Sequence, residues 1–433
     1  MKKIIFLVIT LLVLSFNITF SSNAAFANAA GEALSFSEGE YEYDSGLTNG
    51  EFLEYFVTNF PNRRGEVKEK AAAEYIARIF QLYEGEYGVS KFEPYNKDKT
   101  ELDERYLQNF SFKYGRETHE SNNVIITKKA DKETKKTVII GAHYDNVYNK
   151  PQDVNDSDYN FQGAYDNGTG VTVMLDLLKR LSEKDFDFNI TFIAFGAEEY
   201  GMKGSSHYVS VMNHAPEDIL LMVNLDVIGA GDYLYLFCDD VSTLHQEFLF
   251  DIADKNDISL KAAPFDKNVS SGQILDTMYY HIGLMSDNLP FLQKGVNCAF
   301  FFTYNWEHGL SESTENISII HTEDDNFNTL KEKYEGYSTY MTKVSNIVYY
   351  SLAAPNFESK MIESFETKFD YSIFLDKIFL LCVGLSVLLA ICGFVYYQYY
   401  KLKKERIIEI EVAPIFEKIS VFGDDFEDKN KNH

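Results

Sequence analysis

The sequence predicts an α/β fold with a mostly parallel central sheet flanked by helices. Three observations carry that prediction. Short runs rich in β-branched and aromatic residues alternate with helical stretches from Glu66 to Ala353, the order that builds parallel sheets. The run Ile219 to Val227 is apolar nearly throughout, as suits a strand covered on both faces. Composition is globular: of 433 residues, 45% are hydrophobic and 24% charged, with only 25 Gly and 8 Pro to interrupt the pattern.

The elements follow in order. Val67, Ala71, Tyr75, Ile79 and Tyr83 recur at four-residue spacing, which predicts an amphipathic helix from Glu66 to Glu84 entered through Pro61 and Gly65. Asn123 to Thr127 and Thr137 to Ala142 read as strands. The charged, turn-like link Asp131 to Lys136 predicts that they pair as a hairpin. A Gly-rich loop opens a helix from Gly168 to about Lys184, with Val171, Met174, Leu175, Leu178 and Leu181 on one face. Phe188 to Phe195 is a strand, Lys203 to Met212 a short helix and Ile219 to Val227 a strand. Strand-like runs recur at Tyr233 to Cys238, Val296 to Thr303 and Ile317 to Ile320. A last helix, Thr339 to Ala353, packs Met341, Val344, Val348 and Leu352. No internal repeat is present.

The ends of the chain carry different signals. Lys2 and Lys3 precede the apolar run Ile4 to Phe20, and Ala25-Phe26-Ala27 and Ala27-Asn28-Ala29 both fit an A-x-A cleavage site. Residues 1–29 therefore read as a secretory signal peptide. Ile378 to Tyr397 holds no charged residue and is long enough to cross ~30 Å of hydrocarbon, which predicts one C-terminal transmembrane helix over 378–397. Tyr396, Tyr397, Tyr399 and Tyr400 crowd one end of it, and Lys401, Lys403, Lys404 and Arg406 follow, a flank that stays cytoplasmic. The expected arrangement is an extracytoplasmic domain over 31–370, one span in the cell membrane, and a cytoplasmic tail over 401–433. Cys382 and Cys392 fall in the span; Cys238 and Cys298 lie in strand-like stretches and read equally as a disulfide or as two buried thiols.

Lys and Arg number 40 against 66 Asp and Glu, a net charge of −26, which excludes a protein that grips a phosphate backbone. In parallel sheets, ligands bind beyond the carboxyl ends of the strands. Polar residues gather at those ends here. Thr137–Ala142 runs into His143-Tyr144-Asp145, Phe188–Phe195 into Gly196-Ala197-Glu198-Glu199, and Ile219–Leu225 into Asp226. The loop Gly163-Ala164-Tyr165-Asp166-Asn167-Gly168 precedes a helix, and His321-Thr322 follows Ile317–Ile320. Each feature alone is ordinary turn or surface chemistry. Five of them, ordered along one domain, make a metal constellation.

That order resembles the co-catalytic zinc exopeptidase family of bacterial leucyl aminopeptidase, aminopeptidase Y and glutamate carboxypeptidase. The resemblance runs from about Phe52 to Ala353. It implies a zinc exopeptidase, phosphorylase/hydrolase-like fold, two Zn²⁺ per chain and a peptide substrate. On matching positions it implies that Asp166 bridges the two ions, that His143 and Asp226 complete one site, and that Glu199 and His321 complete the other. It assigns Glu198 as general base and Asp145 as the partner that orients His143. The chemistry is consistent: Zn²⁺ takes imidazole nitrogen and carboxylate oxygen, and a carboxylate can bridge two ions where an imidazole cannot.

The sequence departs from that family's pattern at Ile320, where many relatives carry Tyr, and at Ser286-Asp287-Asn288, where many carry Ser-Asp-His. A polar insert, Asn149 to Asn160, separates His143 from Asp166. Phe300 to Phe302 reads as buried strand, while Tyr304 and Trp306 are candidates to wall an apolar pocket for a substrate side chain. The expected protein is a membrane-anchored aminopeptidase. A carboxypeptidase or dipeptidase, a single-zinc glutaminyl cyclase, and a non-catalytic receptor or adhesion domain remain as alternatives, and oligomeric state is left open.

Overall fold

The computed structural model describes residues 48–147, 160–231, 233–238, 244–263, 286–304, 319–334, 336–367, 388–389, 391–401 and 403. The predicted signal peptide, most of the acidic insert and Trp306 lie outside them. The strands are β1 (Phe92–Pro94), β2 (Leu107–Tyr114), β3 (Glu117–Lys128), β4 (Thr137–His143), β5 (Asn189–Phe195), β6 (Ile219–Leu225), β7 (Tyr233–Cys238), β8 (Lys261–Ala262) and β9 (Cys298–Tyr304). The helices are α1 (Asn49–Asn59), α2 (Glu66–Tyr87), α3 (Leu102–Arg105), α4 (Thr169–Ser182), α5 (Lys203–Val211), α6 (Leu244–Lys255), α7 (Asn288–Gln293), α8 (Phe327–Lys333) and α9 (Tyr337–Ala353).

The nine strands among the described residues form one sheet in the order β1-β3-β5-β4-β6-β9-β7-β8, with β2 paired to the outer part of β3. The sheet is mixed. Its centre, β5-β4-β6-β9, is parallel, while β3 meets β1, β2 and β5 antiparallel and β7 meets β9 antiparallel. The expected mostly parallel sheet therefore holds for the centre and for the β7–β8 edge, while the pairs of β3 and the β7–β9 pair are antiparallel. Flanking strands need no helical crossover: β2 turns into β3 through Gly115, whose φ of 63° suits a tight hairpin.

The predicted hairpin between β3 and β4 does not form. β5 lies between them, antiparallel to β3 and parallel to β4. The reason is burial: every residue of β4 is buried, so it needs a neighbour on each side, and β5 and β6 supply them. The link from β3 to β4 instead passes over the start of β5, where Asn189 secures it. The Asn189 amide donates to Thr134 O (3.1 Å), its Oδ1 accepts from Ala130 N (3.0 Å), and its N–H donates to Lys136 O (2.8 Å).

Helices α5 and α7 cover one face. Tyr208, Val209 and Phe291 pack there on Ile125, Ile139, Ile193, Phe195 and Met222. Pleating turns Val138, Ile140, Phe192 and Val223 to the other side, where α4 lies against β4 and β6 and α9 packs on α4. Helix α1 begins in a capping box: Thr48 accepts from Glu51 N, and Glu51 Oε2 accepts from Thr48 N at 2.9 Å. Cys298 is a buried thiol whose Sγ donates to Asn288 O and Val296 O.

Of the predicted span, 378–387 and residue 390 lie outside the described residues. Residues 388–389 and 391–401 are helical and exposed. Among the described residues no helix is long and apolar enough to cross a membrane.

Candidate metal centre

Three neighbouring parallel strands deliver the first side chains at their carboxyl ends. His143 is the last residue of β4, Asp226 follows β6, and Glu198 and Glu199 lie just past β5. Asp166 comes from a buried turn, Ala164–Gly168, that leads into α4. His321 sits in a tight turn before α8, not at a strand end: Ile319 and Ile320 are turn residues, and Thr322 N and Oγ1 both donate back to Ile319 O. That turn holds His321 at a φ of 59°.

The predicted residues converge. His143 Nε2 is 3.2 Å from Asp166 Oδ1 and 3.2 Å from Asp226 Oδ1. His321 Nε2 is 3.1 Å from Asp166 Oδ2 and 3.0 Å from Glu199 Oε2. Asp166 thus turns one oxygen to each imidazole. His143, Glu198 and Glu199 also bring donor atoms within 4.8 Å of one another. Asp145 lies behind His143, its Oδ1 3.4 Å and its carbonyl oxygen 3.2 Å from Nδ1. Its carboxylate also accepts from Glu198 N (3.0 Å) and Glu199 N (3.1 Å), so one buried aspartate aligns both the imidazole and the Glu-Glu turn.

The turn that carries the glutamates is shaped by its backbone. Ala197, Gly201 and Met202 all have positive φ, at 53°, 92° and 54°. Phe112, Tyr114 and His119 of the β2–β3 hairpin pack on Tyr200, and the Arg64 guanidinium lies 4.5 Å from the centre of its ring. At the Asp166 turn, Asn167 donates to Leu225 O (2.8 Å) and accepts from Gly170 N (2.9 Å). A Cβ on Gly170 would drive into Leu225 O and the Asn167 amide, so only glycine fits there. Asp226 Oδ2 accepts from Ser286 Oγ (2.8 Å), which in turn accepts from Asn224 (2.7 Å).

Electrostatics show what this donor set wants. Burial pushes the Glu198 carboxyl well above its usual range, and the charges of Asp287, Glu199 and Asp226 push the same way. Burial and Asp166 raise Glu199 to about 7. Burial opposes charge on His321, yet Asp166 and Glu199 raise it to about 10. Burial would raise Asp166, but His143 and His321 hold it well below the usual carboxylate range. Carboxylates this crowded demand positive charge. A metal ion fits: the donor atoms stand 3.0–3.2 Å apart, near the roughly 3.3 Å between ligands of a tetrahedral zinc at about 2.0–2.1 Å. Glu199 Oε1 is buried without a hydrogen-bond partner among the described residues, as an oxygen reserved for a cation would be.

Two contributors had no sequence signal. Arg63 is fully buried and spends its guanidinium on carbonyls: Tyr144 O (2.6 Å), Phe60 O (2.9 Å), Gln162 O (2.6 Å) and Gly163 O (2.9 Å). Burial pulls its pKa down to about 10, against the nearby charges of Asp325, Asp145, Asp166 and Glu199. The second is Asp325, which accepts from Tyr165 N and Asp166 N. Of the pocket candidates, Tyr304 is buried at the end of β9 in a cluster with Tyr235, Phe237, Phe300 and Phe302.

Two imidazoles and a nest of carboxylates above the parallel centre of a helix-covered sheet form a group able to hold metal. A family model described as Peptidase family M28 matches residues 123–341, and the chain belongs to that family of zinc metallopeptidases. Aminopeptidase YwaD of Bacillus subtilis is 32% identical over 219 residues, 46% of this chain and 42% of that protein. The chain therefore spans less than half the length of that relative. The alkaline phosphatase isozyme conversion protein of Escherichia coli is 28% identical over 268 residues, 59% of this chain and 71% of that protein. The crystal structure of the Legionella pneumophila LapA aminopeptidase superposes with a TM-score of 0.50 over 73% of this chain and 71% of its own, at 16% identity, a likeness of fold.

Proposed function

We propose that this chain is a dizinc aminopeptidase that removes N-terminal residues from peptides. One observation carries the reading: Asp166 presents one carboxylate oxygen to His143 and the other to His321, each imidazole already grouped with a further carboxylate. In this reading His143, Asp166 and Asp226 hold one ion, and Asp166, Glu199 and His321 the other. Bound there, the pair polarises the scissile carbonyl and lowers the pKa of water toward ~7.

The chain's own residues do the rest. Glu198 faces the same pocket without being needed as a ligand. It accepts the proton of the attacking water and returns it to the leaving amine. Asp145 keeps the His143 tautomer fixed and holds Glu198 and Glu199 at their stations through backbone N–H groups. Aminopeptidase activity is also supported by the name of the Bacillus subtilis relative.

The test is a zinc count on the purified chain beside hydrolysis of a leucine anilide and its N-acetylated form. Two zinc ions, turnover of the free amine and loss of turnover on chelation are expected. One zinc, or equal turnover of the acetylated substrate, overturns the aminopeptidase reading.

We further propose that Ile378 to Tyr397 anchors the enzyme in the cell membrane, with the peptidase domain, 31–370, outside and 401–433 in the cytoplasm, after removal of residues 1–29. The charge-free run and its basic flank support this reading. The chain is expected to stay in the membrane pellet after alkaline carbonate washing. Its release into the supernatant overturns the anchor.

A further inference from the structure

We propose that Asp325 is a positioning residue that sets the spacing between His321 and Asp166 and so governs zinc affinity. The proposal rests on the dizinc reading.

Asp325 is fully buried, four residues past His321, at the end of the same tight turn. Its side chain does not join the ligand cluster. It reaches the main chain of the Asp166 turn instead: Oδ1 accepts from Tyr165 N at 2.6 Å and Oδ2 from Asp166 N at 3.0 Å. The Asp325 carbonyl accepts from Ala164 N at 3.4 Å. Three consecutive N–H groups of one ligand turn therefore end on one residue of another. A second tie runs beside them, from Phe327 N to Gln162 Oε1 at 2.8 Å.

Bonds from N–H groups to a carboxylate are charge-assisted and short. A two-oxygen grip on adjacent N–H groups also fixes direction, which a single bond does not. The His321 ring is partly exposed, and its turn carries the bonds of Thr322 to Ile319 and of Asp325 N to Thr322 O. The stitch to residues 164–166 is what places His321 Nε2 3.1 Å from Asp166 Oδ2. Partners of this kind, which orient ligands without touching the ion, commonly tune metal affinity by about 10–100-fold.

The fold also explains why a carboxylate is used. Asp325 lies close enough to Arg63 for their charges to interact, and Arg63 in turn grips Gly163 O. The Asp166 turn is thus held by its N–H groups from one side and by a carbonyl from the other.

The experiment compares the full chain with Asp325→Asn and Asp325→Ala. Asn keeps the shape but turns one N–H toward the two N–H donors, so it breaks half the grip. Each protein is stripped of metal and titrated with zinc against a competing chelator. Melting midpoints are recorded with and without zinc. For Asp325→Asn we expect zinc affinity to fall about 10–100-fold. Its zinc-induced rise in melting temperature shrinks, while the zinc-free midpoint stays near wild type, because a repelling charge beside Asp166 has also gone. Asp325→Ala shows the larger loss of affinity. Unchanged zinc affinity overturns the proposal, as does an equal drop in midpoint with and without zinc. A wild-type chain that takes up no zinc overturns the metal reading itself, and this proposal with it.

Discussion

Glu198→Gln is expected to lower kcat by about 10²–10⁴-fold while the zinc content stays that of wild type. The substitution keeps size and hydrogen-bonding reach but removes the group that takes a proton. The turn should survive it, since Asp145 grips the main chain of residues 198 and 199 and not the Glu198 side chain. Burial already favours the protonated form of Glu198 in the metal-free pocket, so a neutral amide is tolerated there. Glu199→Gln makes the contrast: it alters the carboxylate that lies 3.0 Å from His321 in the proposed second zinc site, so zinc and activity should fall together. Metal analysis beside single-turnover kinetics separates the two. Full activity in Glu198→Gln, or loss of zinc along with activity, would sink the role given to Glu198.

Arg63→Met is expected to be the most destabilising single change at this site. Methionine follows part of the arginine's path but donates nothing, so the carbonyls of Phe60, Tyr144, Gln162 and Gly163 lose a buried donor together. At about 1–3 kcal/mol for each stranded polar group, the loss is at least ~4 kcal/mol. That is a large share of the ~5–15 kcal/mol that holds a typical domain folded. It corresponds to a fall in melting temperature of roughly 5–10 °C for a domain of this size. Arg63→Lys keeps the charge but not the fork, and should recover only part of the loss. A thermal melt of Arg63→Met within a degree of wild type would show that the carbonyls find other donors.

The clustered side chains were legible in the sequence because the fold places them by short-range rules, while their reading as a metal set came from the resemblance to a family. A strand that ends in His143, or in Glu198 and Glu199, announces where its polar end emerges, and α/β sheets gather those ends on one edge. Asp166 was legible for the same reason, since the glycines after it mark the turn into a helix. Arg63 and Asp325 were not. Their partners are main-chain carbonyls and N–H groups up to about 160 residues away, and every residue has those, so no pattern of side chains records the contact. The hairpin expected between β3 and β4 failed on a similar point. The charged link looked like a turn, and it does turn, but the strand that fills the space between comes from later in the chain. His321 was placed correctly in the cluster and wrongly at a strand end, because two isoleucines before it read as β and pack as a turn.

The late insertion of β5 has a consequence for how the chain is made. β4 ends at His143 and β5 begins at Asn189, so 45 residues separate them. At about 5–20 residues per second, β4, with β3 ahead of it, leaves the ribosome roughly 2–9 s before the strand that belongs between them. During that interval their facing edges are free to meet each other, and the link between them is long enough to let them. In the folded chain Asn189 holds that link aside through its three bonds to residues 130, 134 and 136. The growing polypeptide thus carries a temporary mispairing hazard that its own next segment removes.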